Sequence, residues 1–349
     1  MRLLICTQTV DTGDPVLGFF HRWIEEFSKH CESVIVICLR EGDHQLPANV
    51  KVLSLGKEQG KGRVTRLLRF FYYILRNIRS YDAAFIHMNA EYALLGGLVW
   101  KLARKRRVLW YTHKSVTMML RIGSRMVDAI CTASVESFRL KRPHVIVTGH
   151  GIDPVLFSLP RARPVDFLRM ATVGRITRSK GIHVLLDAMT LLPSRGVPYR
   201  LSIVGSPVTR SDERYQDELW DKIEELKLST FAGFVGAKTS NEIPAVLAST
   251  DVFLHASDTG SLDKAMLEAM SAGCVVISSN DAAKPILRMI QDGLAVERPE
   301  AEALAHAIQK VHALGEDGRR EVGERSRAYV AENHSLPKLV EKIIWILRT

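Results

Sequence analysis

The 349-residue chain has no apolar run long enough to span a bilayer; its longest clear ones, such as residues 92–100, are about nine residues, half of what a membrane helix needs. Its opening apolar stretch, residues 1–7, is too short for a signal peptide and reads as a first strand. Five cysteines, an odd number without Cys-x-x-Cys spacing, indicate neither a disulfide framework nor a zinc site and point to the reducing cytoplasm. Gly-x-Gly-x-x-Gly and Walker sequences are missing too, which argues against a dehydrogenase or an NTPase. There is no tandem repeat or low-complexity tract, and 46% apolar, 25% charged and 7% aromatic residues exclude a disordered, collagen-like or coiled-coil protein.

Acidic residues are scarce in one half only. Residues 1–155 hold 23 Lys and Arg against 13 Asp and Glu, whereas residues 156–349 hold 25 of each, so the whole net charge of +10 lies in the first half. Such asymmetry suits an anionic partner: nucleic acid, an acidic membrane surface or a phosphorylated substrate. The aromatic–basic interleaving of nucleic-acid-binding modules is absent, so nucleic acid is not expected.

What the chain does contain is strand–helix alternation, twice over. In the first half, residues 3–7, 34–39, 50–53, 83–87 and 108–112 read as strands, with helical patterns through Phe19, Phe20, Trp23, Ile24 and Phe27 and over 61–79 and 92–102. Residues 158–166, with two prolines and no periodicity, are the candidate linker. The pattern then restarts with strands at 168–173, 201–204, 231–235, 252–255 and 275–278, alternating with helices at 182–189, 217–227, 243–248, 262–272 and 300–314. Two doubly wound parallel sheets follow from this order, each binding ligand at the carboxyl ends of its strands. The division expected is a basic domain over 1–157, a second over 158–325, and a closing segment, 326–349, returning to the first. In that segment Ser335 caps a helix with Leu339, Val340, Ile343 and Leu347 on one stripe.

Two constellations can carry chemistry. In Thr172-Val173-Gly174-Arg175-Ile176-Thr177-Arg178-Ser179-Lys180-Gly181, a strand end leads into a helix. Gly174 permits a close turn, and Arg175 and Lys180 add cations to the positive end of the helix dipole, an arrangement suited to a diphosphate. The alternative is a solvated basic loop. No acidic cluster of magnesium-ligand type accompanies it, so neither metal nor resident cofactor is expected, and the cations take over charge neutralisation. In the second, residues 257–270, Glu268 is the only acid of an apolar turn and could accept the two hydroxyls of a ribose. Its alternative is an exposed pair with Lys264, four residues earlier.

Six segments in register complete the pattern: Gly149-His150-Gly151-Ile152-Asp153; Val173-Gly174-Arg175 with Lys180-Gly181; Ile203-Val204-Gly205; Phe231-Ala232-Gly233-Phe234-Val235; Leu267-Glu268-Ala269-Met270-Ser271-Ala272-Gly273; and Asp292-Gly293-Leu294. Together they resemble the retaining glycosyltransferases of family 4, densely over about 150–295 and loosely before. The resemblance implies the GT-B fold, two Rossmann-like domains facing across a cleft. It also implies a hexosyltransferase that moves a sugar from a nucleotide diphosphate donor to an acceptor hydroxyl with retained configuration, in cell-surface polysaccharide or glycolipid synthesis. By family pattern His113, Arg175 and Lys180 are catalytic. Gly174, Gly205, Gly260, Ser261, Asp263, Leu267 and Glu268 join Arg175 and Lys180 around the donor, and Gly13 and Gly18 lie on the acceptor side. A structural role is an equal alternative for His113, and His87 is a weaker candidate still.

The chain departs from the family at three points. Gly260 stands where the first glutamate of Glu-x7-Glu belongs, leaving Asp258 and Asp263 as the nearby acids; paired glycines are absent from the first loop; His150 replaces an asparagine. The rival functions are a nucleotide-sugar epimerase, for which no buried carboxylate set is evident, and a nucleotide-sugar binder that has lost catalysis, which Gly260 favours. Residues 61–79 carry six cations and no acid, with Leu67, Phe71, Ile74, Leu75 and Ile78 on one side and Arg66, Arg69, Arg76 and Arg79 on the other. They suit an anionic membrane surface that brings the enzyme to a lipid-linked acceptor, peripheral on the inner face of the cell membrane. The alternative is an apolar side packed on the sheet with solvated arginines opposite.

Overall fold

The structure, a computed structural model, describes every residue except Pro15, Lys114, Asp258 and Thr259. The chain divides into two compact units: Met1–Asp153 with His334–Thr349, and Pro154–Asn333. The first boundary falls a few residues before the proline-containing segment, because that segment is tied to the second unit. Arg161 donates to Leu247 O at 2.8 Å and to Thr250 O, and Ala162 N donates to Ala248 O at 3.0 Å.

In the first unit, β-branched and apolar runs buried on both faces form parallel strands. They are β1 (Arg2–Val10), β2 (Ser33–Glu41), β3 (Val50–Ser54), β4 (Ala83–His87), β5 (Arg106–Trp110), β6 (Ala129–Thr132) and β7 (Val145–Val147), in spatial order 3-2-1-4-5-6-7. The intervening helices are α1 (Phe20–His30), α2 (Arg63–Arg76), α3 (Ala90–Leu102) and α4 (Met118–Gly123). Alternate strand residues face opposite ways and build two cores. Leu3, Ile5, Val34, Val36 and Phe85 meet α1 and the last helix of the chain, while Leu4, Cys6, Ile35, Ile37 and Ile86 meet α2, α3 and α4.

The second unit repeats the scheme with β8 (Leu168–Val173), β9 (Tyr199–Val204), β10 (Ala232–Gly236), β11 (Val252–His255) and β12 (Val275–Ser278), in spatial order 10-9-8-11-12, all parallel. Its helices are α5 (Ile182–Leu191), α6 (Arg210–Glu225), α7 (Ile243–Ala248), α8 (Lys264–Ser271), α9 (Lys284–Ile290), α10 (Ala301–Ala313) and α11 (Gly315–Asn333). The last helix, α12 (Leu336–Arg348), is capped by Ser335 and lies in the first unit against α1 and β5, with Leu339, Val340, Ile343 and Leu347 buried.

Two sequence expectations change. Residues 315–333, for which the sequence suggested no element, form the 19-residue α11, which buries only Val322, Gly323, Ser326 and Val330 and so shows almost no apolar stripe. In α2 the expected faces hold in part: Ile74 is in the core, Phe71 and Ile78 pack against it and Arg76 and Arg79 are exposed, but Leu67 and Leu75 are exposed too. Phe70 and Ile74 are the residues buried, Arg66 and Arg69 are half-buried, and Val64, Leu68, Tyr72 and Leu75 are exposed. The orientation follows the aromatic anchor: Phe70 stacks on Tyr92 at 5.2 Å and meets Trp100 edge-on at 6.3 Å, which turns the leucines outward.

Candidate functional site

In both sheets the strand order reverses beside the first strand of the unit, so the crevice for a ligand opens at the carboxyl ends of β1 and β4 and of β8 and β11. The residues singled out in the second half gather at the latter pair.

β8 ends at Val173, and the chain turns at Gly174 with φ +145°, open to glycine alone. Gly205, at the end of β9, has φ +146°, and a Cβ there would stand 1.9 Å from Gly174 O, so the two loops touch backbone to backbone. Hydrogen bonds from Gly174 N to Val204 O at 3.0 Å and from Ile176 N to Ser206 O at 3.1 Å hold them together. Arg175 then points outward, its side chain 54% exposed, with Nε 3.9 Å from the buried carboxylate of Asp212. Asp212 N–H completes a capping box with Thr209 at the start of α6. Burial works against the Asp212 charge, but hydrogen bonds from Thr177 and Thr209 outweigh it and hold the carboxyl below its ordinary range. α5, with no side-chain cap at its N-terminus, follows directly on Gly181.

Lys180 folds back beneath the turn: a Cβ on Gly174 would lie 3.3 Å from Lys180 Cε. Its ammonium pairs with Asp263 Oδ2, the two side chains being 18% and 17% exposed. Asp263 is also the N-cap of α8, Oδ1 accepting from Ala265 N at 3.1 Å. Its Oδ2 lies 3.1 Å from His255 Nε2, and His255 Nδ1 lies 2.8 Å from Ser278 Oγ. With Asp263 ionised, Nε2–H donates to it, so in the neutral ring Nδ1 accepts the Ser278 hydroxyl proton. Burial alone would raise the Asp263 carboxyl, yet Lys180 and His255 hold it well below the usual carboxylate range. Asn280 extends the network, donating through N to Ser278 Oγ at 3.1 Å and through Nδ2 to Ser261 O at 3.2 Å.

One turn into α8, Glu268 is 14% exposed and pairs with Lys264. The pair anticipated as the bland alternative exists, but it is largely buried. Leu267 is wholly buried in the core, so its side chain meets no ligand in solution. Gly260 has φ +67°, a conformation costly for glutamate, so the loop before α8 is built for glycine. Asp258 lies outside the described residues. Among the described residues no group of three or more His, Cys, Asp or Glu could hold a metal ion.

The first-unit candidates are more scattered. His113, beyond the end of β5, is exposed and accepts from Ser115 N through Nδ1 at 3.1 Å. Gly13 is exposed, its N–H bound to Asp11 Oδ1 at 2.9 Å. Gly18 is buried, and a Cβ there would lie 2.6 Å from Asp14 O, so it serves the packing of the loop. His87, at the end of β4, is buried and stacked between Phe20 at 3.9 Å and Trp110 at 5.4 Å, and burial pushes its pKa down to about 3. His150 is buried edge-on to Trp110 at 6.3 Å.

The sequence reading missed His255, Ser278, Asn280 and Asp212. The first two carried a signal: each is the polar last residue of an otherwise apolar strand, at the edge where α/β sheets bind ligands.

The profile of the family described as "Glycosyl transferases group 1" matches residues 161–347. The chain belongs to this family. Among curated relatives, WcaL of Escherichia coli K12, named for colanic acid biosynthesis, is 28% identical over 235 residues, 64% of this chain and 56% of that protein. AmsK of Erwinia amylovora, an amylovoran biosynthesis glycosyltransferase, is 30% identical over 176 residues, 47% of this chain and 41% of that one. The match thus spans about half the length of these curated relatives. Among solved structures, Anabaena HepE in complex with UDP superposes with a TM-score of 0.77 at 18% identity, covering 100% of both chains. The lipopolysaccharide outer core galactosyltransferase WaaB in its apo form gives 0.68 at 14%, again over 100% of both. The α/β class with two parallel sheets, and the GT-B fold expected from the six segments, are therefore those of the chain.

Proposed function

We propose that the protein is a retaining glycosyltransferase that moves a sugar from a nucleotide diphosphate donor to an acceptor hydroxyl in the synthesis of a cell-surface polysaccharide or glycolipid. The observation that carries this reading is the meeting, at the reversal point of the second sheet, of the Gly174–Gly205 backbone contact, the Arg175 and Lys180 cations and the largely buried Glu268. The names of WcaL and AmsK supply the polysaccharide context, and the UDP of HepE supports a nucleotide donor.

In this reading the diphosphate lies over the Gly174 turn and the N-terminus of α5, where backbone N–H groups, helix dipole and guanidinium act together. Glu268 accepts the ribose hydroxyls. The acceptor attacks from the face the diphosphate leaves, and a leaving-group oxygen takes its proton. The protein then contributes orientation and charge stabilisation, needing neither a nucleophile of its own nor a metal. A sugar or lipid-linked acceptor at the inner membrane face, reached through residues 61–79, belongs to the same reading; among the described residues no helix is long and apolar enough to cross a membrane.

The test is incubation with UDP-, GDP- and ADP-sugars, with and without extracts of lipid-linked saccharides, following nucleotide release and the anomeric configuration of the product. Acceptor-dependent release with retained configuration is expected. A changed sugar without acceptor would make the protein an epimerase, and binding without release would make it the catalytically impaired binder that Gly260 favours.

A further inference from the structure

The helices on the two faces of the first sheet differ sharply in what they show to solvent. On the α1–α12 face, Trp345 is the one exposed large apolar residue of those two helices. On the other face all three helices expose apolar side chains. Along α2, Val64 (71% exposed), Leu68 (65%), Tyr72 and Leu75 form a stripe at i, i+4, i+8 and i+11. On the neighbouring helices Leu98 and Leu102 (77%) follow on α3, and Met118, Met119 and Ile122 on α4. Because α2, α3 and α4 pack on one sheet face through Phe70, Trp100 and Leu120, these outward residues belong to one helical layer. Soluble proteins rarely leave such a surface uncovered.

The charge of the layer says what covers it. Within α2, α3 and α4 the charged residues are Arg63, Arg66, Arg69, Arg76, Lys101 and Arg121 against a single acid, Glu91. The stripe on α2 is bordered by Arg76, which lies over the Tyr72 ring at 5.7 Å, and by Arg79. A protein partner would have to match both this excess of cations and the outward leucines and methionines. An anionic bilayer offers what fits both: phosphates for the arginines, which reach upward from their stems, and acyl chains for the leucines, with tyrosine at the level between.

We propose that the α2–α4 layer of the first unit is a docking surface for an anionic lipid bilayer, with the Val64–Leu75 stripe and Leu98–Leu102 entering the headgroup boundary. This deepens the membrane part of the function proposed above and replaces the single arginine face with an apolar centre and a basic rim. It rests on that function only for why the protein should be there, since lipid binding is measured without donor or acceptor.

The experiment is co-sedimentation of the full chain with phosphatidylcholine vesicles, with and without one third phosphatidylglycerol, at low salt. Two variants are compared, Leu68→Ser/Leu102→Ser and Arg76→Ser/Arg79→Ser, each checked for an unchanged circular dichroism spectrum and melting curve. The wild type should partition onto the anionic vesicles well above the neutral ones. The serine pair replacing leucines should weaken binding by roughly tenfold or more, and the arginine pair similarly, at about fivefold per cation lost. Equal binding to both vesicle types, no binding to either, or binding indifferent to the leucine variants overturns the proposal. So does a stable dimer that the leucine variants dissociate, which would assign the layer to a second copy. A chain that binds lipid yet releases no nucleotide from any donor leaves this surface in place and removes the transferase reading.

Discussion

Replacing Asp263 by asparagine tests the buried network at the strand ends of the second unit. The carboxylate neutralises Lys180, accepts from His255 and caps α8, with both partners of the ion pair less than one-fifth exposed. Removing one partner of a fully buried pair costs about 3–5 kcal/mol, and an exposed pair contributes about 1 kcal/mol at most. This pair lies nearer the buried limit, so Asp263→Asn should cost about 2–3 kcal/mol. For a unit of this size that is a fall of roughly 4–12 °C in its melting temperature. Asparagine still caps helices, so Asp263→Ala should lose about 1 kcal/mol more. The difference between wild type and Asp263→Asn also has a pH signature. The folded carboxyl is held well below its ordinary 3.8, so its contribution is fully present above that pH and is lost as the pH falls through the folded value. Other depressed acids cancel in the difference. Urea denaturation of both proteins from pH 7 to pH 2.5 provides the measurement. A difference under about 0.5 kcal/mol at pH 7, or one that does not shrink below pH 3.8, would refute the argument.

His87, pushed down to about 3 by burial against an ordinary 6.5, resists protonation when folded; on its account the first unit should lose about 1.4 kcal/mol per pH unit as the pH falls below 6.5. His87→Phe, which suits the stack between Phe20 and Trp110, should remove that contribution in acid-denaturation curves, leaving the equal slope that His334, pushed down to about 4, supplies between pH 6.5 and that value. An unaltered slope would show that His87 is not buried neutral. Gly205→Ala combines a forbidden φ with a Cβ 1.9 Å from Gly174 O. It should cost about 3 kcal/mol or more, and a melting curve unchanged from wild type would contradict the loop contact. Arg175→Ala removes an exposed side chain with one distant partner, so stability should move by less than about 0.5 kcal/mol while turnover is largely lost. Equal turnover would remove Arg175 from the site.

The strands were legible because they are short apolar runs separated by turn residues, and 83–87, 168–173, 252–255 and 275–278 coincide with β4, β8, β11 and β12. α11 was not, because its four buried residues give no stripe against a charged background. The orientation of α2 was legible in part, through Phe71, Ile74 and Ile78; the rest escaped because a helical wheel centres on the mean apolar direction, whereas packing follows where Phe70 finds aromatic partners from α3, which leaves Leu67 and Leu75 outside. At the candidate site, Gly174, Arg175, Lys180, Gly205 and Glu268 could be named because glycine–cation and lone-acid patterns are local. That Lys180 is engaged by Asp263, and that His255 and Ser278 stand behind the pair, depends on segments more than 70 residues apart meeting at strand ends. No spacing rule reports such a contact.

The most direct test of the account is calorimetric titration of the full chain with UDP, GDP and ADP in the presence of EDTA, repeated with Arg175→Ala and Glu268→Ala. One of the three nucleotides should bind with one-to-one stoichiometry, and each variant, folded as judged by its melting curve, should weaken that binding at least tenfold. Absence of binding by all three, or an affinity that neither variant changes, would contradict the claim that the end of β8 and the start of α8 grip the donor.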